Sequence, residues 1–269
     1  MERGRPPGDA YVLPRDAREI DRLDVQHFAA KAAHAGRNYL APIAEPARIL
    51  DVGCGTGQWA FELCAEFPPA LVVGLDLVPS KPRPPGNYRF VRGNVLQGLP
   101  FLSETFDFVH QRLMVSGIPL KMWPATVRDL VRVTRPGGWL ELSEAMPYVE
   151  PEGPATRRLW DLLRQLGRSV GLDTMGHVAG GLGRYLEGAG AESVQVHTHR
   201  LPIGDWGGQV GAWMASDVRS LFMRMIPAFT PSGVDEGTCL ELIGAMLAEF
   251  EGLRSTIGGR IAFGRRGPA

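Results

Sequence analysis

The sequence predicts an α/β protein built on a seven-stranded, mostly parallel sheet with helices on both faces. Short apolar runs of strand character alternate with helical patterns through the first half of the chain. A glycine loop joins the first of those runs directly to a helix, and the later chain turns to long helical stretches with two more strand-like runs. A length of 269 residues allows one large domain with an elaboration, or two small ones.

Taken in order, a first helix is expected over 15–40, because Ile20, Leu23, His27, Ala30 and His34 recur at three- and four-residue steps. Pro42 and Pro46 then break the chain. Residues 48–53 read as the first strand, and Trp59, Leu63 and Phe67 mark one face of the helix behind it. The unbroken apolar run 70–76 has the character of a strand buried on both faces. Residues 88–92 and 106–110 supply the third and fourth strands. Pro124 suits the first turn of a helix carrying Val127, Leu130 and Val131, closed by Arg135-Pro-Gly-Gly before a fifth strand at 139–143. Strands alternating with helices imply right-handed crossovers and a parallel sheet. Residues 154–190 are helical with glycine interruptions, 193–199 alternate as a strand does, and 255–263 return as a last strand. The expected division is therefore an N-terminal helical lid (1–45), a core (46–204), a helical cap insertion over the mouth of the sheet (205–254), and the last strand with its tail (255–269).

Composition narrows the function. Lysine plus arginine equals aspartate plus glutamate, 29 each, so there is no electrostatic support for nucleic acid or an anionic membrane as the main partner. Cys54, Cys64 and Cys239 form no metal-ligand spacing, which favours a reducing, cytoplasmic setting and no bound metal. No signal-peptide pattern and no long uncharged apolar run is present, so a soluble protein is expected, with a homodimer compatible with the sequence.

The informative stretch is Asp51-Val-Gly53-Cys-Gly55-Thr-Gly57. Glycines between a buried strand and a helix let the backbone approach a ligand where a Cβ would intrude. The dinucleotide pattern G-x-G-x-x-G, started at Gly53, demands glycine at 58, where Gln58 stands; the phosphate-loop ending Gly-Lys-Ser/Thr is also absent. What remains is D-x-G-x-G-x-G, with a carboxylate at the strand end. That charge repels a pyrophosphate and suits a cationic ligand, and S-adenosylmethionine carries a sulfonium and an ammonium group and no phosphate. Asp76 ends the second strand, where a carboxylate accepts from both ribose hydroxyls and Leu77 packs on the adenine. At the end of the third strand, Asn94 and Val95 offer an acceptor for the adenine amine and a backbone donor for its ring.

These motifs, ILDVGCGTG (49–57), VVGLDL (72–77), VRGNV (91–95), FDFVH (106–110) and RPGGWLELSE (135–144), resemble the class I, Rossmann-like methyltransferases. The resemblance implies cofactor contacts by Asp51, Gly53, Gly55, Gly57, Asp76, Leu77, Asn94, Val95 and His110. The family usually has aspartate where Asn94 stands, and either side chain accepts from an amine. Upstream, Tyr11-Val-Leu-Pro-Arg-Asp with Glu19, Arg22, Gln26 and His27 looks like the subgroup that includes the fungal protein LaeA and bacterial relatives, in which the amino-terminal helix covers the cofactor.

Methyl transfer mainly requires alignment and exclusion of water, and a base only where the nucleophile begins protonated. His27, on the apolar face of the first helix, is the expected base, with Tyr11 as a second catalytic candidate. Arg22 and Gln26 share a helix edge, and His197 and His199 one face of a strand. Trp206, Trp213, Met214, Phe222, Met223 and Met225 suit either a helical core or an irregular apolar ligand. The expected acceptor is a small, largely apolar or aromatic metabolite. The alternatives are a cofactor-binding regulator acting through protein partners, and a protein or nucleic-acid methyltransferase. The base-amino signature Asn/Asp-Pro-Pro-Tyr/Phe is replaced here by His110-Gln-Arg-Leu.

Overall fold

A computed structural model describes residues 17–79 and 83–268, with side chains of the first helix from Arg22 onward. Tyr11 and the motif around it lie outside the described residues. The strands are β1 (Arg48–Val52), β2 (Leu71–Asp76), β3 (Tyr88–Arg92), β4 (Phe106–Arg112), β5 (Thr134–Glu150), β6 (Ala191–Pro202) and β7 (Thr256–Arg266). They form one sheet in the order β3-β2-β1-β4-β5-β7-β6. Neighbours pair in parallel from β3 to β5, and β7 runs antiparallel to both β5 and β6.

Crossovers carry the helices: α2 (Gln58–Glu66) between β1 and β2, α3 (Trp123–Val133) between β4 and β5, α4 (Pro154–Ser169) and α5 (His177–Gly188) between β5 and β6. Between β6 and β7 stand α6 (Gly208–Phe229) and α7 (Glu236–Leu253). Because successive strand residues face opposite ways, Leu50, Val52, Val109 and Leu142 pack with α3 and α5, while Ile49, Val72 and Phe108 pack with Trp59 and Leu63 of α2. A third cluster joins α4, α6 and α7 through Trp160, Phe222, Met225, Phe229 and Phe250.

Several boundaries differ from expectation. The first helix, α1 (Ala17–Ala33), ends well short of residue 40, because Ala35 (φ 52°) and Gly36 (φ 79°) turn the chain back. β4 extends two residues further, to Arg112, which sets that side chain on the same face as His110. β5 is far longer than 139–143, because β7 lies antiparallel beside it from Trp139 to Glu150 and satisfies its backbone. Arg135-Pro-Gly-Gly consequently falls inside the strand, at a register shift against β4. Among the described residues, no helix is long and apolar enough to cross a membrane.

Candidate active site

The glycine loop takes the shape its sequence demands. Gly53, Gly55 and Gly57 all have positive φ (73°, 52° and 81°). A Cβ on Gly53 would lie 2.2 Å from Met114 Sδ, so the turn sits hard against the segment that follows β4. The Gly53 and Cys54 N–H groups donate to the Leu75 carbonyl (2.8 and 3.1 Å), tying the end of β1 to β2. Asp76, at the tip of β2, closes the arrangement: its carboxylate accepts from Gly55 N–H at 2.9 Å and Leu77 N–H at 2.6 Å. Leu77 is half-buried beside it. Asn94 Oδ1 accepts from Leu96 N–H at 3.0 Å and caps a short 3-10 turn (Val95–Gln97). From the other side α1 lies on the loop, where Thr56 Oγ1 donates to Asp24 Oδ1 at 2.9 Å and Leu23 reaches Gly55.

Asp51 and His110 pair with one another. They are register partners on β1 and β4, and His110 Nδ1–H donates to Asp51 Oδ1 at 2.9 Å. The His110 ring stacks on Trp59 with centroids 3.8 Å apart, and Asp51 is only 3% exposed. Burial pulls the His110 pKa down while the Asp51 hydrogen bond and charge pull it up; the net shift is downward. The same register continues to Glu141 on β5, fully buried, whose Oε2 accepts from Leu40 and Ala41 N–H and whose Oε1 lies 3.2 Å from His34 Nε2. Sequence reasoning passed over Glu141, although its place across from His110 follows once strand register is known.

His27 points inward, at 2% exposure, and both of its nitrogens are engaged. Arg112 can only donate, and its NH2 group lies 3.1 Å from His27 Nδ1; that nitrogen is therefore the acceptor, and Nε2–H donates to Glu62 Oε1 at 3.0 Å. Burial, reinforced by the Arg112 charge, lowers the His27 pKa to about 4. Lys31 Nζ holds the other Glu62 oxygen at 2.6 Å. A ring fixed in this way has no free lone pair to take an acceptor's proton, so it does not fit the role of base.

A cavity of about 270 Å³ opens at the carboxyl edge of β4 and β5, roofed by α1, α4 and α6. Much of its wall is apolar: Leu163, Leu166, Leu172, Met214, Val218 and Leu221. Arg22 and Gln26 line it and both reach Asp217 of α6, at 2.7 and 3.3 Å. They form a buried clasp between α1 and α6. Glu144 lines it too, accepting from Met114 and Val115 N–H (2.8 and 3.1 Å); burial lifts its pKa to about 8. His199 lines the cavity while His197 is exposed and stacks on Phe263. Of the Met and aromatic residues read in 205–254, Met214 reaches the cavity, whereas Phe222 and Met225 are core and Met223 is exposed. Arg112, Glu144 and Asp217 were not singled out from the sequence. The available signal for Arg112 was its two-residue step from His110; Asp217 had none.

A family profile described as "Methyltransferase domain" matches residues 25–196. The chain belongs to the S-adenosylmethionine-dependent methyltransferases. The methyltransferase is 34% identical over 204 residues to methyltransferase pytC of Aspergillus terreus, covering 73% of this chain and 62% of that one. It is 34% identical over 207 residues to the secondary metabolism regulator laeA of Aspergillus fumisynnematus, covering 73% of this chain and 54% of that one. The match thus spans less than two thirds of these relatives' own length. Phosphoethanolamine N-methyltransferase 2 of Haemonchus contortus superposes with a TM-score of 0.52 at 13% identity, covering 93% of this chain and 52% of that chain, which speaks for the fold. S-adenosylmethionine is the methyl donor of this family. The residues present fit it: a turn of three glycines with positive φ presents bare backbone at the end of β1, and an acidic side chain stands at the tip of β2 beside it.

Proposed function

We propose that this methyltransferase modifies a small, largely apolar or aromatic metabolite, in specialised metabolism. The observation that carries the reading is the cavity: about 270 Å³, lined largely by aliphatic side chains and roofed by helices, it has the scale of a small-molecule site rather than a macromolecular surface. The resemblance to pytC and to a secondary metabolism regulator supports the metabolic setting.

In this reading Gly53, Gly55 and Gly57 bring bare backbone against the donor, and Asp76 accepts from its ribose hydroxyls next to Leu77. Asn94 and Val95 border the adenine. Asp51 acts from beneath, with His110, as a buried negative charge under the loop. When bound, S-adenosylmethionine supplies an electrophilic methyl group on a sulfonium. The chain's own work is orientation and exclusion of water, which α1 performs from above through Asp24 and Leu23.

Calorimetric titration with S-adenosylhomocysteine tests the donor site. Asp76→Ala is expected to weaken binding by about 1–3 kcal/mol through lost charge-assisted hydrogen bonds. Unchanged affinity refutes the ribose assignment. Labelled-methyl transfer to small aromatic and aliphatic acceptors tests the substrate class. The likeness to laeA supports one second reading, a regulator working through partners, and that reading predicts donor binding with no turnover of any small acceptor.

A further inference from the structure

Arg112 stands at the carboxyl end of β4 with its side chain half-buried on the cavity wall. Its environment is unusual for a permanent cation. A guanidinium does not lose its proton in a protein, so where it is drawn partly out of water it favours an anionic partner. Among the described residues no carboxylate lies within salt-bridge distance of Arg112, and its hydrogen-bond partner is the uncharged His27 Nδ1 at 3.1 Å.

The acids nearest to it are committed elsewhere. Asp51 accepts from His110, Glu62 from His27 and Lys31, and Glu141 from the Leu40 and Ala41 amides. They act on Arg112 only at longer range, and the net effect of burial is to lower its pKa. The other charges around the cavity are also accounted for. Arg22 is paired with Asp217, and Arg164 with Asp161. Asp173 caps the start of α5 by accepting from Met175 and Val178 N–H. Glu144, with a pKa of about 8, is protonated at neutral pH and adds no negative charge.

Building on the small-molecule reading, we propose that Arg112 recognises an anionic oxygen of the methyl acceptor, so that the acceptor is an apolar or aromatic molecule bearing a carboxylate or another acidic hydroxyl. The aliphatic wall takes the hydrocarbon and the guanidinium takes the charge. Such an acceptor arrives already deprotonated at neutral pH, which agrees with a His27 whose two nitrogens are both engaged, by Glu62 and Arg112. No base is needed when the attacking oxygen carries the charge itself: the oxygen's electron pair forms the new bond to the methyl carbon, and the sulfur leaves with the pair of the broken one. The guanidinium holds that oxygen by direct N–H donation, a charge-assisted contact on the cavity wall.

The test is calorimetry on the full chain saturated with S-adenosylhomocysteine, using 3-phenylpropanoate and octanoate against their primary amides. The acids are expected to bind the wild type at least tenfold more tightly than the amides. Arg112→Met is expected to bring acid and amide within twofold of each other while S-adenosylhomocysteine affinity stays within threefold; Arg112→Lys should retain part of the preference. Equal affinities in the wild type overturn the proposal, as does the absence of acid binding at millimolar concentration. These comparisons do not depend on a variant that folds. A loss of S-adenosylhomocysteine affinity in Arg112→Met, with acid preference retained, also overturns it and assigns the guanidinium to the donor's own carboxylate. Failure of the methyltransferase site itself is separately visible, as wild-type protein that does not take up S-adenosylhomocysteine.

Discussion

At the scale of single residues, the site is decided by who else can reach a side chain. His27 has the position a base would need on an apolar helix face, yet Arg112 claims one nitrogen and Glu62 the other. Its removal is a structural loss. His27→Ala removes the hydrogen bonds that the buried ring makes to Arg112 and Glu62 and is expected to cost about 1–3 kcal/mol of stability. Urea denaturation measures it, and a variant as stable as the wild type but unable to turn over a neutral hydroxyl acceptor would restore the base assignment. The glycine turn, by contrast, was legible from residue types alone: only glycine tolerates φ near +73° with a neighbouring sulfur 2.2 Å from a would-be Cβ.

At the scale of elements, the clasp between α1 and α6 shows why part of the site was hidden. Arg22 and Gln26 announce a shared helix edge by their four-residue spacing, and a solvated edge explains that spacing equally well. Asp217, 195 residues from Arg22 along the chain, makes it a buried contact, with side chains 5% and 10% exposed. Breaking one member removes a buried charged partner of the other. Asp217→Ala is expected to lose about 3–5 kcal/mol, whereas the pair Arg22→Met with Asp217→Leu recovers most of it, because apolar side chains need no counter-ion there. A double-mutant cycle in urea checks the coupling, and strictly additive losses contradict it.

At the scale of the whole molecule, buried titrating groups shape the response to pH. Burial lowers His27 and His199 from 6.5 to about 4, so the unfolded chain binds more protons than the folded one across that window. Stability therefore climbs as pH rises from 4 to 6.5. Glu144 acts in the opposite sense. Its pKa rises from 4.5 to about 8 through burial, with Asp173 adding to the rise, so its contribution is complete below 4.5 and lost on the way to pH 8. The lowered histidines, His110 among them, outweigh Glu144 on the acid side, and Glu144 opposes them without a histidine contribution above pH 6.5. The midpoint of thermal unfolding is expected to peak near pH 6.5, and Glu144→Gln to flatten the decline towards pH 8. An undiminished decline in that variant points to another group.

The sequence by itself determined the alternating architecture, the glycine turn after the first strand and the order of the acidic and amide residues at successive strand ends. Each of these is local: a strand, a turn and the residue that follows, all within a few positions of one another. Only the tertiary structure decided which polar groups meet across the sheet and beneath the helices. Glu141 reaches His34, and Arg112 reaches His27, because register and helix docking set contacts between residues far apart in the chain. Burial then altered their charge states, and that is a property of surroundings which no single stretch of sequence contains.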